Sequence, residues 1–162
     1  MLPWEKRPFE IANLLNPAFC SALLYVAVND FKQESQQGMP FALSFLILPF
    51  VLHKPTRETL PQTIRTTLQE WVRAQPEEFS MLFAMRTRQL VPYSKEALMF
   101  GMQCHIVESD ISGNIGCNKK IDIEKFKETP AAILIEKSKL LGKWFAKTEE
   151  ETVIFKTLGI RL

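Results

Sequence analysis

The amino-acid sequence predicts a mainly α-helical, single-domain protein with one β-hairpin. Its expected architecture is a winged helix-turn-helix core at residues 61–121, with an N-terminal helical extension at 1–60 and C-terminal helices at 122–162. Three features predict this. Apolar residues recur at three- and four-residue spacing over most of the chain, the period of an amphipathic helix. The period changes to two around 105–121, on either side of Ser112-Gly113-Asn114, which is the pattern of a hairpin. Upstream stand helical stretches separated by Pro76 and by Pro92-Tyr93-Ser94, giving the order helix, turn, helix, hairpin.

In chain order, residues 8–15 form a short helix carrying Phe9, Ile11, Leu14 and Leu15. Asn16-Pro17 restarts the helix, asparagine as cap and proline at the first position. The second helix runs to about Lys32 and is apolar almost all round, so it must be enclosed. Residues 34–38 read as a polar loop. The apolar stretch 41–52 is too short to span a bilayer, which takes about 20 residues, and Pro49 interrupts it, so it reads as a buried core helix. Pro55 and Pro61 bracket a turn or a single helical turn.

The core opens with a helix at 61–75, with Ile64, Leu68, Trp71 and Val72 on one face. Pro76-Glu77-Glu78 starts the next, with acids against the positive end of the helix dipole and Phe79, Leu82 and Phe83 as its buried stripe. Ser94 is the expected cap of a second core helix through Ala97, Leu98 and Met102, ending at Cys104. After the hairpin, 122–128 is a charged connection. Thr129-Pro130 caps a long helix with Ile133, Leu134, Leu140, Leu141, Trp144 and Phe145 inward and Lys139, Lys143 and Lys147 as a basic ridge on solvent. Thr148 and Glu151 match a capping box, and Gly159 stops the last helix.

Hydrophobic content of 46% with 23% charge describes a folded chain, and a net charge of +2 leaves any nucleic-acid contact to a local patch. Three cysteines without zinc-finger spacing suit a reducing cytoplasm, and the N-terminus lacks the apolar run of a signal peptide. Cys104, His105 and Cys117 have metal-ligand chemistry, but a fourth ligand is missing and the adjacent pair points apart, so no metal site is expected. No base-and-orienter set serves a nucleophile, and the 6 glycines make no phosphate loop, so no catalytic residue or cofactor is expected. The helix expected to read DNA offers only Lys95 and Gln103. Arg86, Arg88, Lys119 and Lys120 are the candidate phosphate contacts, non-specific and salt-dependent. Trp4, Lys6, Arg7 and Phe9 are the candidate partner anchors, since tryptophan and arginine combine contact area with directional bonds.

Distinctive stretches of text run through the chain: Trp4-Glu5-Lys6-Arg7-Pro8, the run from Glu10 to Phe19, Leu48-Pro49, His53-Lys54-Pro55-Thr56-Arg57-Glu58, Leu60-Pro61, Ala97-Leu98-Met99-Phe100-Gly101 and Thr157-Leu158-Gly159-Ile160. In these stretches the chain resembles the middle component of three-component ABC ATPase systems, the small subunit of Lamassu-type bacterial defence operons. The resemblance implies a non-enzymatic adaptor beside an SMC- or Rad50-like ABC ATPase and an effector, often a nuclease, in a complex that senses phage or plasmid DNA. A stand-alone winged-helix DNA-binding regulator is the alternative, and it calls for a basic recognition helix that this sequence lacks.

Overall fold

The structure is a computed structural model that describes residues 6–148 and 150–160. Helix α2 (Pro17–Ser35) lies at the centre. Asn16 caps it, its Oδ1 accepting from the Ala18 and Phe19 amides at 2.9 and 3.3 Å, and Pro17 occupies the first turn. Residues from Cys20 to Val28 are buried without a break, because α6 (Phe79–Gln103), α7 (Ala132–Ala146), α3 (Ser44–Val51) and the sheet all pack on α2. Two glycines bring the neighbouring helices in. A Cβ at Gly142 of α7 would stand 2.2 Å from the Ala27 carbonyl oxygen, and one at Gly101 of α6 would stand 2.5 Å from Ser21 Oγ. By length and composition Phe9–Ser35 is apolar enough to cross a membrane, yet over half of its most apolar 18-residue window is buried inside the fold.

A second packing centre is aromatic. Phe50 of α3 sits with its ring centroid 4.4 Å from Phe83 of α6, 5.7 Å from Trp71 of α5 (Leu68–Arg73) and 6.1 Å from Phe145 of α7. Trp71 in turn meets Trp144 edge-on at 5.7 Å. These tilted and edge contacts are the geometries that ring quadrupoles favour.

The predicted hairpin is present as β2 (Val107–Ser109) and β3 (Asn114–Cys117), paired Val107 to Cys117. Asp110 shapes its turn, Oδ1 accepting from the Ser112 and Asn114 amides at 2.8 and 2.9 Å, while Gly113 takes a φ of +78°. A third strand, β1 (Met39–Pro40), pairs antiparallel with β3 on its other side, so the sheet order is β1-β3-β2. Met39, Val107 and Ile115 are buried under it.

The expected break at Pro92-Tyr93-Ser94 is absent: α6 runs through it as one helix of 25 residues. The helix-turn-helix on which the winged-helix reading rested is therefore not formed there. Pro92 and Arg88 both lie on the exposed face, where water can reach the Arg88 carbonyl that loses its helical donor, and packing of the opposite face on α2 and α3 outweighs the ~3 kcal/mol proline penalty. Ser94 is buried inside the helix and caps nothing. The helix expected over 61–75 shrinks to α5, opened by a capping box between Thr67 and Glu70. Upstream of it, backbone carbonyls bond side chains from across the fold. Trp71 Nε1 donates to Thr59 O and Trp144 Nε1 to Thr66 O, each at 2.7 Å, and Lys137 Nζ donates to Leu60 O and Pro61 O at 3.2 and 3.1 Å. The Thr148–Glu151 capping box does not form either. Thr148 Oγ1 instead donates back to Trp144 O at 3.3 Å, and Glu150 stands at the cap of α8 (Glu151–Thr157). Its C-terminus closes as expected: Gly159 has φ +70°, and the Ile160 amide reaches Phe155 O at 2.9 Å.

Candidate partner-binding surface

Arg7 latches the start of the described chain onto α6. Arg7 forms a bidentate pair with Glu96, Nη1 to Oε2 at 2.8 Å and Nη2 to Oε1 at 2.7 Å, and its guanidinium lies 5.7 Å from the Tyr93 ring centroid. Pairing with Glu96 raises its pKa further above the usual arginine value. Of the four expected anchors, Arg7 therefore spends these donors within its own chain, Lys6 is exposed, and Trp4 lies outside the described residues. The next element, α1 (Phe9–Leu14), buries no residue at all. Phe9 is 79% exposed and Leu14 51%, on a helix too short to be stable without support.

A second apolar surface runs along the outer face of α6. Met81 and Met99 are 60% and 61% exposed, and Leu82 and Met85 are half exposed. The sequence pattern placed Leu82 with Phe79 and Phe83 in one buried stripe, yet of the three only Phe83 is fully buried and Leu82 lies on the exposed side. With α6 continuous, the buried positions are Phe83, Thr87, Ser94, Ala97, Leu98 and Gly101, and the methionines fall on the opposite side.

The four candidate phosphate contacts do not converge. Arg86 turns inward, Nη1 donating to Thr56 Oγ1 at 3.0 Å and to Pro49 O at 3.4 Å, and burial lowers its pKa. Arg88, two residues on, is exposed on the outer face of the same helix. Lys119 and Lys120 are exposed after β3, on the rim of a cleft of about 400 Å³ floored by Tyr25, Asn29 and Asp30 of α2. Asp30 is itself paired with Lys143 at 3.6 Å, which takes one lysine out of the predicted basic ridge.

Several residues that carry the family resemblance close helix ends, a role that the sequence pattern did not reveal. His53 caps α4 (Lys54–Thr59), its Nδ1 accepting from the Thr56 amide at 3.3 Å, with Thr56 Oγ1 at 2.8 Å. Burial, then Arg86 and Arg57, lower the His53 pKa. Arg57 donates to Val51 O and Arg86 to Pro49 O, so two guanidiniums satisfy carbonyls at the C-terminus of α3. The signal was an apolar helix ending without glycine and followed by cations. His105 also acts through its backbone: at φ +54° it terminates α6, with its amide on Met102 O and the Ile106 amide on Gly101 O. Cys104 is exposed, whereas the Cys117 thiol points to Tyr25 O at 3.6 Å and burial pushes its pKa up to about 12. Among the described residues no group of three or more His, Cys, Asp or Glu is placed to hold a metal ion.

The family model described as ABC-three component (ABC-3C) system Middle Component 3 matches residues 4–162. No curated protein matches the chain, and no solved structure does.

Proposed function

We propose that this chain, which belongs to the Middle Component 3 family of ABC-three component systems, is a non-catalytic adaptor. In this reading it bridges an SMC- or Rad50-like ABC ATPase and an effector, such as a nuclease, in a cytoplasmic Lamassu-type complex that responds to phage or plasmid DNA. The observation that carries the reading is the exposed apolar surface on α1 and on the outer face of α6. Faces of this kind on a small protein mark sites of association with other proteins. The polar clusters supply the second support: His53, Arg57 and Arg86 are engaged in closing helix ends, and Arg7 and Glu96 are engaged with one another.

Co-expression tests the reading. The chain made alone is expected to aggregate or self-associate through the exposed apolar surface of α1, and the ATPase component of its system is expected to keep it soluble and to co-purify with it. A stable monomer by light scattering at high concentration that binds no other component would refute it. DNA binding has its own test. Alanine at both Lys119 and Lys120 should reduce the salt dependence of duplex binding by the assembled complex, by roughly 0.9 in log–log slope for each phosphate no longer neutralised. An unchanged slope removes these lysines from the DNA interface.

A further inference from the structure

Helix α6 carries two stripes. One is buried, through Phe83, Thr87, Ser94, Leu98 and Gly101. The other comprises Met81, Met85, Arg88, Pro92, Lys95 and Met99, every one of them exposed. Their spacing alternates four and three residues throughout, which is the narrow seam along which one helix packs on another. From Met81 to Met99 it extends about 27 Å, roughly five turns. Beside its C-terminal half an open groove of about 420 Å³ lies between Pro17 and Met99, with room for flanking side chains of an added helix.

The charge on this seam selects its occupant. Arg88 and Lys95 are its only ionised members, both positive, and the one acid of α6, Glu96, is neutralised by Arg7. A second copy of the chain would bring these cations together: Arg88 faces Arg88 in a parallel pairing, and in an antiparallel pairing that matches Met81 with Met99 it stands within one turn of Lys95 of the other copy. Like charges at such positions work against pairing. The same cations attract carboxylates. Building on the adaptor reading, we propose that this seam receives one amphipathic helix of another component of the system. That helix is apolar where it meets Met81, Met85 and Met99, and acidic where it meets Arg88 and Lys95. The proline serves this use, because it keeps the middle of the seam flat.

The test uses the co-expressed components, wild type and with R88E/K95E, and a photo-crosslinking amino acid placed at Met85 or Met99 in otherwise wild-type chain. Both charged positions are exposed, so the melting temperature of the double variant should stay at the wild-type value. Binding of the partner component is expected to weaken about tenfold or more, and wild-type binding to weaken with salt. Crosslinks are expected to fall in a helical segment of the partner with acids seven residues apart. Undiminished binding by R88E/K95E at wild-type stability overturns the seam while leaving the adaptor reading intact. Crosslinks only to a second copy of this chain, or to a segment without acids, overturn it equally. Failure of the wild-type chain to bind any component tells instead against the adaptor reading on which the seam rests.

Discussion

Replacing Gly142 with alanine tests the helix packing on which both exposed surfaces depend. The added methyl carbon would stand 2.2 Å from Ala27 O and 3.0 Å from both the Ala27 carbonyl carbon and the Phe31 nitrogen. All three are backbone atoms, so no side chain can rotate aside. An ordinary carbon–oxygen approach is about 3.3 Å or more, so α7 must withdraw from α2 by roughly 1 Å. A gap of that size forfeits a quarter to a half of each dispersion contact along the interface. Overpacking of this kind costs about 1–3 kcal/mol, and a rigid backbone clash belongs at the upper end. Alanine returns about 1 kcal/mol in helix propensity. The net loss is therefore about 2 kcal/mol, which for a chain of this length lowers the melting temperature by roughly 4–8 °C. Circular dichroism at the helical band, with a urea titration beside it, measures this directly. Gly116→Ala is the control, because a Cβ there has nothing within 4 Å, and it should melt at or slightly above the wild-type temperature. If Gly142→Ala is as stable as wild type or more so, α7 and α2 do not approach this closely.

Three further outcomes follow from local geometry. His105→Gly should stabilise by about 1 kcal/mol, because a side chain at φ +54° pays a left-handed penalty that glycine does not; an unchanged or lower melting temperature would contradict this. Arg7→Ala, which removes both bonds to Glu96, should destabilise by about 1–2 kcal/mol, and Arg7→Lys should not restore the loss, since an ammonium cannot make the bidentate pair; full rescue by lysine would show that charge alone matters there. In thiol titration at pH 8 Cys104 should react first, with Cys20 and Cys117 protected until unfolding. Burial pushes both of those thiols from 9.0 up to about 12, so the unfolded chain loses protons first as pH rises. Their contribution to stability is thus fully present below about pH 9 and declines between there and about pH 12; a denaturant midpoint that does not fall across that range would refute their burial.

Much of the local structure was legible in the sequence because it is set by residues a few positions apart. Asn16-Pro17 opens α2, an almost uninterrupted apolar run makes it an enclosed helix, Ser112-Gly113-Asn114 falls in the hairpin turn, and Gly159 ends α8. Tertiary structure decided the rest. Pro92 reads locally as a helix breaker, yet α2 and α3 grip the far side of α6 and carry it through. Residues 61–66 read as helix, yet Trp144 and Lys137 draw carbonyls of Thr66, Leu60 and Pro61 into bonds that no helix leaves free. Arg86 and Arg88 look equivalent as text and end on opposite sides of one helix, one satisfying the Pro49 carbonyl of α3 and the other exposed in the seam. In each case the deciding partner lies tens of residues away, and its approach is set by glycine contacts and aromatic packing that no local pattern encodes.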